Sequence, residues 1–254
     1  MATESFKPIA VSSPVNAPIG FGLRCVVDLQ LATIARYLRP ALKNLAGAVL
    51  DVGAGQSPWR DWLPNTATYQ GIDISYAADF GMQPRVDDVI YYKGAQMPLA
   101  DNAYDAVLCI EVLEHAQDPA LLLFEIFRVM NSDAVLLLTV PWSARRHHIP
   151  HDYRRFTREG LALLLGQAGF DSVDIIERGN DIAVIANKLT VLTLRLATPK
   201  NWWHSFWTWP IGMVCGVLAG TFIASAHICI ALDWGSKEDP LGYFVSAKKT
   251  ACPA

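Results

Sequence analysis

The chain has 254 residues, of which 52% are hydrophobic and 18% are charged, so it is long and apolar enough to bury one substantial core. This composition excludes a largely disordered chain. The formal net charge of −3 gives no electrostatic reason to expect a nucleic-acid partner, so we expect a small-molecule substrate.

The hydrophobic pattern along the chain alternates between helical and strand periods. Apolar residues at helical spacing over 23–45 predict a helix with a break near Pro40. The predicted strands are 48–53, 68–75, 105–115, 134–142, 172–179 and 240–249, and the predicted later helices are 118–130 and 157–170. This alternation indicates a doubly wound α/β fold with a mainly parallel sheet and helices on both faces.

The amino-terminal segment and the cysteines bear on domains and compartment. Residues 1–22 contain an early acid and three prolines but no continuous apolar run, which is not the pattern of a secretory signal. We expect a flexible leader over 1–22 and a single domain over 23–254. The five cysteines are scattered without a CxxC pair, which favours reduced thiols and the cytoplasm.

A glycine loop, LDVGAGQSP over 50–58, follows the first predicted strand. Asp73 ends the second strand, where a carboxylate can accept hydrogen bonds from two ribose hydroxyls. Dinucleotide-binding loops need a third glycine so that a helix approaches the pyrophosphate, and this loop continues with Ser57 and Pro58 instead. S-adenosylmethionine carries no phosphate, so the loop favours this cofactor. A tight turn without a ligand would show the same two glycines.

Together with YQGIDIS (69–75) and MPLADNAYDAVLCIEVLEHAQDP (97–119), this loop resembles the class I S-adenosylmethionine-dependent methyltransferases, in their small-molecule, type 11-like branch. The resemblance covers about 50–170 and, more loosely, the last strand. It implies a seven-stranded Rossmann-like sheet and methyl transfer to a small acceptor, with a hydroxyl of a sugar, glycan precursor or secondary metabolite favoured. The cofactor residues that it implies are Asp51, Gly53, Gly55, Asp73, Ile74, Gly94, Ile110 and Glu111. Lys93 departs from the family, which often has an acid at this position to bind the adenine amino group.

The segment PWSARRHHIPHDYRRFT (141–157) is the densest polar cluster in the chain and follows the strand predicted at 134–142. It resembles the "H-D-Y-x-R-(F/Y)-T-x-x-G-L" pattern of a methyltransferase subgroup associated with bacterial glycan or natural-product pathways. Two interpretations stay open. Asp152 pairs with an arginine and anchors the loop, or His148 or His151 is a general base that Asp152 orients. His115, at the end of EVLEH, is a further candidate for a base or for a turn cap.

A metal site from the histidines at 147, 148 and 151 is a third interpretation of this segment. Only His147 and His151 have the four-residue spacing of a helical ligand pair, and Pro150 disfavours a helix there. The sequence therefore predicts no metal ion.

Residues 201–232 contain no Asp, Glu, Lys or Arg and form a stretch long enough to cross a bilayer. A single crossing would separate the predicted terminal strand from its sheet, and a lone strand is not stable. We therefore expect residues 181–235 to form an apolar helical insertion, with 181–196 as the partner helix. It would serve as a lid, as a homodimer interface or as a contact with a membrane surface, which would make the protein peripheral to the inner membrane.

Two other functions remain compatible with a Rossmann-like domain. A noncatalytic binding or scaffold module would keep the fold without binding the methyl donor. An NAD-linked oxidoreductase would use the same sheet, although the absent third glycine and the EVLEH segment (111–115) count against it.

Overall fold

The computed structural model describes residue 9 and residues 11–76, 86–199 and 202–250, so most of residues 1–10 of the predicted leader lie outside the described residues. The strands are β1 (Gly47–Val52), β2 (Ala67–Ile74), β3 (Val89–Tyr92), β4 (Tyr104–Ile110), β5 (Met130–Pro141), β6 (Ser172–Arg178) and β7 (Gly242–Lys248). The α-helices are α1 (Pro18–Val27), α2 (Leu29–Leu42), α3 (Pro119–Val129), α4 (Arg158–Gln167), α5 (Asp181–Ala197) and α6 (Trp202–Leu232). Short 3₁₀ turns lie at Arg60–Trp62 and Leu113–His115.

The strands form one sheet in the order β3-β2-β1-β4-β5-β7-β6. All neighbours from β3 to β5 are parallel, and β7 runs antiparallel to both β5 and β6. The predicted Rossmann-like, mainly parallel seven-stranded sheet is therefore confirmed. The strand order reverses between β1 and β4, and ligands of open α/β sheets bind in the crevice at such a point, beyond the carboxyl ends of the strands.

Alternating side chains of the central strands enter two separate apolar cores. Leu50 and Val52 of β1 pack in one cluster with Leu123 of α3 and Leu161 of α4. Val49 packs on the opposite face with residues of α2, including Leu38. Because both faces are covered, the central strands are nearly continuous runs of apolar residues.

The first helical region is interrupted at a different residue from the one predicted. The prediction of a break near Pro40 was wrong, because Pro40 lies inside α2, close to its end. The chain instead breaks at Asp28, whose carboxylate accepts the amide of Leu31 at 3.1 Å and caps α2. A capping aspartate satisfies an amide that has no partner within the helix, which makes it a favoured helix start.

Helices α5 and α6 form the expected apolar insertion between β6 and β7. Ala226 of α6 is buried against Ala183 of α5 and Leu241, which ties the base of this hairpin to the sheet. Farther from the sheet, a Cβ atom at Gly212 would lie 3.2 Å from the Cβ of Leu196, and the helices approach closely there. Because β6 and β7 are neighbours, the chain leaves the sheet and returns to it within this hairpin.

Candidate active site

The glycine loop after β1 lies at the switch point of the sheet. Gly53 and Gly55 have φ values of +70° and +54°, which glycine adopts without steric cost. A Cβ atom at Gly53 would lie 2.4 Å from a methyl group of Val112, so no side chain fits. The amide of Gly53 donates to the carbonyl of Ile72 at 2.8 Å, and this bond holds the loop against β2.

Asp73 connects the end of β2 to this loop. One carboxylate oxygen accepts the amide of Gly55 at 3.0 Å, and the other accepts the amide of Ile74 at 2.7 Å. Burial raises the pKa of Asp73, while these two amides act in the opposite direction. A carboxylate has about four lone-pair positions, so two remain for ribose hydroxyls.

Asp51 lies beneath the loop within β1 and is almost fully buried. The hydroxyl of Tyr69 donates to its carboxylate at 2.8 Å. Burial is the main reason that the pKa of Asp51 is raised to about 7, and the nearby Asp73 raises it further. This buried acid is therefore partly protonated near neutral pH, and a cationic group beside it would favour its ionised form.

The remaining predicted cofactor residues lie along the same edge of the sheet. Ile74 and Ile110 are the last residues of β2 and β4, and Gly94 follows β3 with a φ of +101°. Among the residues that the structure describes, no atom lies within 4 Å of the position that a Cβ would occupy at Gly94. The sheet thus gathers the predicted residues at the carboxyl ends of its strands.

Glu111 has a partner that the sequence did not reveal. Its carboxylate accepts from the guanidinium of Arg178, the last residue of β6, at 2.8 Å. Arg178 has no exposed side-chain surface and also donates to the carbonyls of Tyr243, Gln30 and Val140. In the sequence, Arg178 is only a charged residue directly before Gly179, in a strand that also contains Asp174 and Glu177.

Asp152 anchors the loop after β5. Both of its carboxylate oxygens accept from the guanidinium of Arg155, at 2.5 and 2.8 Å, and one also accepts the amide of His147 at 3.0 Å. Burial acts to raise the pKa of Asp152, but the bonds from Arg155 and His147 outweigh it and lower the pKa. These contacts support the anchor interpretation of Asp152.

The same loop is fastened to the turn after β4. The amide of Tyr153 donates to the carbonyl of Glu114 at 3.1 Å, and Arg154 donates to the carbonyl of Ala116 at 2.7 Å. Loop and turn therefore form one unit at the carboxyl edge of the sheet.

This unit brings histidines from two parts of the chain together. Rings of His115 and His147 lie 4.8 Å apart between centroids, and His148 lies 5.1 Å from His115. Burial lowers the pKa of His115 to about 4, so its ring is neutral near pH 7. His151 lies beside this cluster: its carbonyl accepts from Nδ1 of His115 at 2.8 Å, and its own Nδ1 is 3.0 Å from the Tyr153 hydroxyl.

A family model described as a methyltransferase domain matches residues 28–175, which include β1 to β5 and the edge described above. The chain belongs to this methyltransferase domain family. The resemblance to class I S-adenosylmethionine-dependent methyltransferases noted in the sequence is therefore confirmed.

Individual relatives agree with this membership. A probable S-adenosylmethionine-dependent methyltransferase of Mycolicibacterium smegmatis is 30% identical over 150 residues, which are 55% of this chain and 58% of that protein. The methyltransferase domain thus spans little more than half the length of the curated relatives it matches.

Solved structures show the same methyltransferase fold. An S-adenosylmethionine-dependent methyltransferase from Thermotoga maritima superposes with a TM-score of 0.52 at 13% identity, over 93% of this chain and 97% of that one. Another from Archaeoglobus fulgidus gives a TM-score of 0.51 at 20% identity, over 91% and 99% of the two chains. At these identities the likeness shows the fold alone.

Proposed function

We propose that this chain transfers a methyl group from S-adenosylmethionine to a hydroxyl of a small acceptor, such as a sugar, a glycan precursor or a secondary metabolite. The observation that carries the proposal is the pair formed by the Gly53–Gly55 loop and the Asp73 carboxylate at the switch point of the sheet. Close main-chain approach at the loop suits the methionine part of the donor. The carboxylate suits its ribose, and no group in this arrangement requires a phosphate.

The other cofactor residues complete the proposed donor site. Asp51 and Glu111 supply negative charge for the amino group, with Arg178 orienting Glu111. Ile74 and Gly94 border the adenine side, and Ile110 lies with Glu111 at the end of β4, near the methionine part. Catalysis then rests mainly on alignment, because the sulfonium supplies a methyl carbon that is already activated and displacement requires an in-line acceptor.

We propose His151 as the group that removes the acceptor proton. In the transfer, the acceptor oxygen forms a bond to the methyl carbon while the carbon–sulfur bond breaks, and the hydroxyl proton passes to an imidazole nitrogen. If Nδ1 of His151 donates to the Tyr153 hydroxyl, Nε2 is the basic nitrogen of the ring. His115 and His148 are weaker candidates because they face each other within the histidine cluster.

The donor site is tested by replacing Asp73. Asp73→Ala should weaken binding of S-adenosylhomocysteine by about 1–3 kcal/mol in calorimetry, because two ribose hydroxyls lose a charged acceptor. Asp88→Ala is a matched control, since Asp88 is an exposed acid paired with Arg60 before β3. Equal affinities in the two variants would remove Asp73 from the site, and no binding to the wild-type chain would favour the scaffold interpretation.

The proton acceptor is tested by the kinetics of a His151 variant. With an acceptor found by mass shift from labelled donor, His151→Ala should lower kcat by about 10²–10⁴-fold and leave donor affinity unchanged. A parallel fall of donor affinity would mean that His151 only supports the loop, and an unchanged kcat would exclude it as the base.

The α5–α6 hairpin gives the molecule a large apolar surface. The stretch from Ser205 to Leu232 is long and apolar enough to cross a membrane, and only 17% of an 18-residue apolar window within it is buried. Phe206, Trp207 and Met213 are each more than 70% exposed. We propose that the distal half of this hairpin docks into the surface of a lipid bilayer, because it carries no charge over 201–232 and has tryptophans at its tip.

Flotation with phosphatidylethanolamine–phosphatidylglycerol vesicles tests this docking. The wild-type chain should float with the vesicles, and the double variant Phe206→Ser with Trp207→Ser should remain at the bottom. The matched control is Phe124→Ser with Leu163→Ser, which removes exposed apolar residues from α3 and α4 and should still float. The proposal would be wrong if the wild-type chain did not bind the vesicles but formed a dimer, and if the variant Phe206→Ser with Trp207→Ser abolished this dimer. The apolar surface would then bind a second copy of the chain.

A further inference from the structure

Three histidine side chains converge although they come from two separate loops. His115 ends the turn after β4, and His147 and His148 lie in the loop after β5. One ring nitrogen from each of them lies within 4.8 Å of the others. His148 has a φ of +51°, a strained value for a non-glycine residue, and such strain is often retained where a side chain must occupy a particular place.

Hydrogen bonds fix which nitrogen of two rings carries the proton. Nδ1 of His115 is 2.8 Å from the carbonyl of His151, and Nδ1 of His147 is 3.1 Å from the carbonyl of Arg145. A carbonyl oxygen only accepts, so Nδ1 is the donor on both rings. The Nε2 lone pairs of these rings then face each other at 3.2 Å, an arrangement that a cation bound to both would stabilise.

A buried carboxylate points at the same place. The side chain of Glu114 has no exposed surface, and neither of its oxygens has a hydrogen-bond partner within the described part of the chain. One of these oxygens is 3.6 Å from Nε2 of His115 and 3.9 Å from Nε2 of His147. An unpaired buried carboxylate is costly, and a bound cation would neutralise it. The nearby guanidinium of Arg155 is already bound by Asp152.

We propose that His115, His147, His148 and Glu114 bind one divalent transition-metal ion of the zinc class. Tetrahedral zinc with bonds of about 2.0–2.1 Å to nitrogen separates its ligand atoms by about 3.3 Å, close to the 3.2 Å between the two Nε2 atoms. Imidazole nitrogen with one carboxylate oxygen suits zinc and its neighbours rather than calcium or magnesium. Carbonyl acceptors on the opposite ring nitrogens are the usual outer partners of ligating histidines.

A metal ion at this site would be a second connection between the turn after β4 and the loop after β5, in addition to their hydrogen bonds. Such an ion would hold the loop after β5 against the turn after β4. The proposal does not rest on the methyl-transfer proposal, because none of its contacts involves the donor crevice residues Gly53, Gly55 or Asp73.

Cobalt and zinc titration of the untagged full chain tests the site. After dialysis against EDTA, the chain should bind one Co²⁺ with the intense visible absorption of tetrahedral coordination, and one equivalent of Zn²⁺ should displace it. His147→Ala should weaken binding at least tenfold. Glu114→Gln should also weaken it, because it keeps the volume and removes the charge. His227→Ala, a histidine on α6 that bonds to Val26, is the matched control and should bind as the wild type does.

Further measurements distinguish the loss of a metal ligand from a failure of the variant to fold. Circular dichroism and a cooperative thermal transition establish that each variant is folded, and if His147→Ala fails to fold, His148→Ala takes its place. Absence of stoichiometric binding in the wild type would overturn the proposal. So would equal affinity in the folded histidine variants and the wild type, whether or not the chain transfers methyl groups.

Discussion

At the scale of single residues, Arg178 connects parts of the chain that are distant in sequence. Its guanidinium donates to Glu111 after β4, to the Thr33 hydroxyl in α2 and to the carbonyl of Tyr243 in β7. Burial lowers the pKa of Arg178, while the negative charge of Glu111 opposes this effect. A buried charge of this kind is stable only when its partners are all present.

Replacing Arg178 should therefore cost far more stability than replacing an exposed arginine. Arg178→Met keeps most of the volume but leaves Glu111 without its partner, and we expect a loss of about 3–5 kcal/mol in the free energy of unfolding. Arg158→Met breaks the exposed pair with Glu177 and should cost less than about 1 kcal/mol. Urea denaturation measures both values, and similar losses would show that the buried network is not what stabilises the sheet.

At the scale of secondary-structure elements, the hairpin of α5 and α6 depends on small residues where the helices touch. A Cβ atom at Gly216 would lie 3.3 Å from the Cγ2 of Thr193, whereas no atom of the described part of the chain lies within 4 Å of the corresponding position at Gly220. The two glycines are four residues apart in one helix. Gly216 faces α5, whereas Gly220 does not.

This difference predicts opposite tolerance to the same substitution. Gly216→Val should separate the helices and destabilise the chain by about 1–3 kcal/mol, which overpacking typically costs. Gly220→Val faces open space and should change stability little, because valine is a slightly better helix former than glycine. Thermal unfolding of the two variants compares them directly. If both have the same Tm, the close approach of α5 and α6 does not contribute to stability.

At the scale of the whole molecule, the fold buries a carboxylate beneath the proposed donor site. The pKa of Asp51 is about 7 in the folded chain, mainly because of burial, and near 3.8 when unfolded. Between pH 3.8 and about pH 7, the carboxyl group of Asp51 keeps its proton in the folded chain and loses it in the unfolded chain. The contribution of Asp51 to stability is therefore fully present below about pH 4 and is lost as the pH rises towards 7.

The variant Asp51→Asn should remove this part of the pH dependence. Its side chain still accepts from Tyr69 but does not ionise, so its stability relative to the wild type should increase from pH 4 to pH 7. The expected change is on the order of 2–4 kcal/mol. Chemical denaturation at several pH values measures it. Parallel stability curves would show that Asp51 has an ordinary pKa in the folded chain.

Local sequence patterns were sufficient to predict most helices and strands. They failed where strand pairing defines a strand or where a capping residue determines the start of a helix. The apolar runs at β1, β4 and β5 are unmistakable because both faces of these strands are buried. Strand β3 was not predicted: it has four residues at the sheet edge and is defined by its pairing with β2. The break at Asp28 was missed because Pro40 is the stronger local signal.

The sequence by itself determined the fold class, the family and the residues proposed for the donor, because the glycine loop, Asp73 and EVLEH depend on short-range order along strands and turns. Only the tertiary structure decided which histidines meet, since His115 and His147 are separated by more than thirty residues and are joined by the adjacency of β4 and β5. Only the tertiary structure likewise showed that Glu111 pairs with Arg178. Spacing within one loop is visible in a sequence, whereas contacts between loops at the ends of neighbouring strands arise only when the sheet assembles.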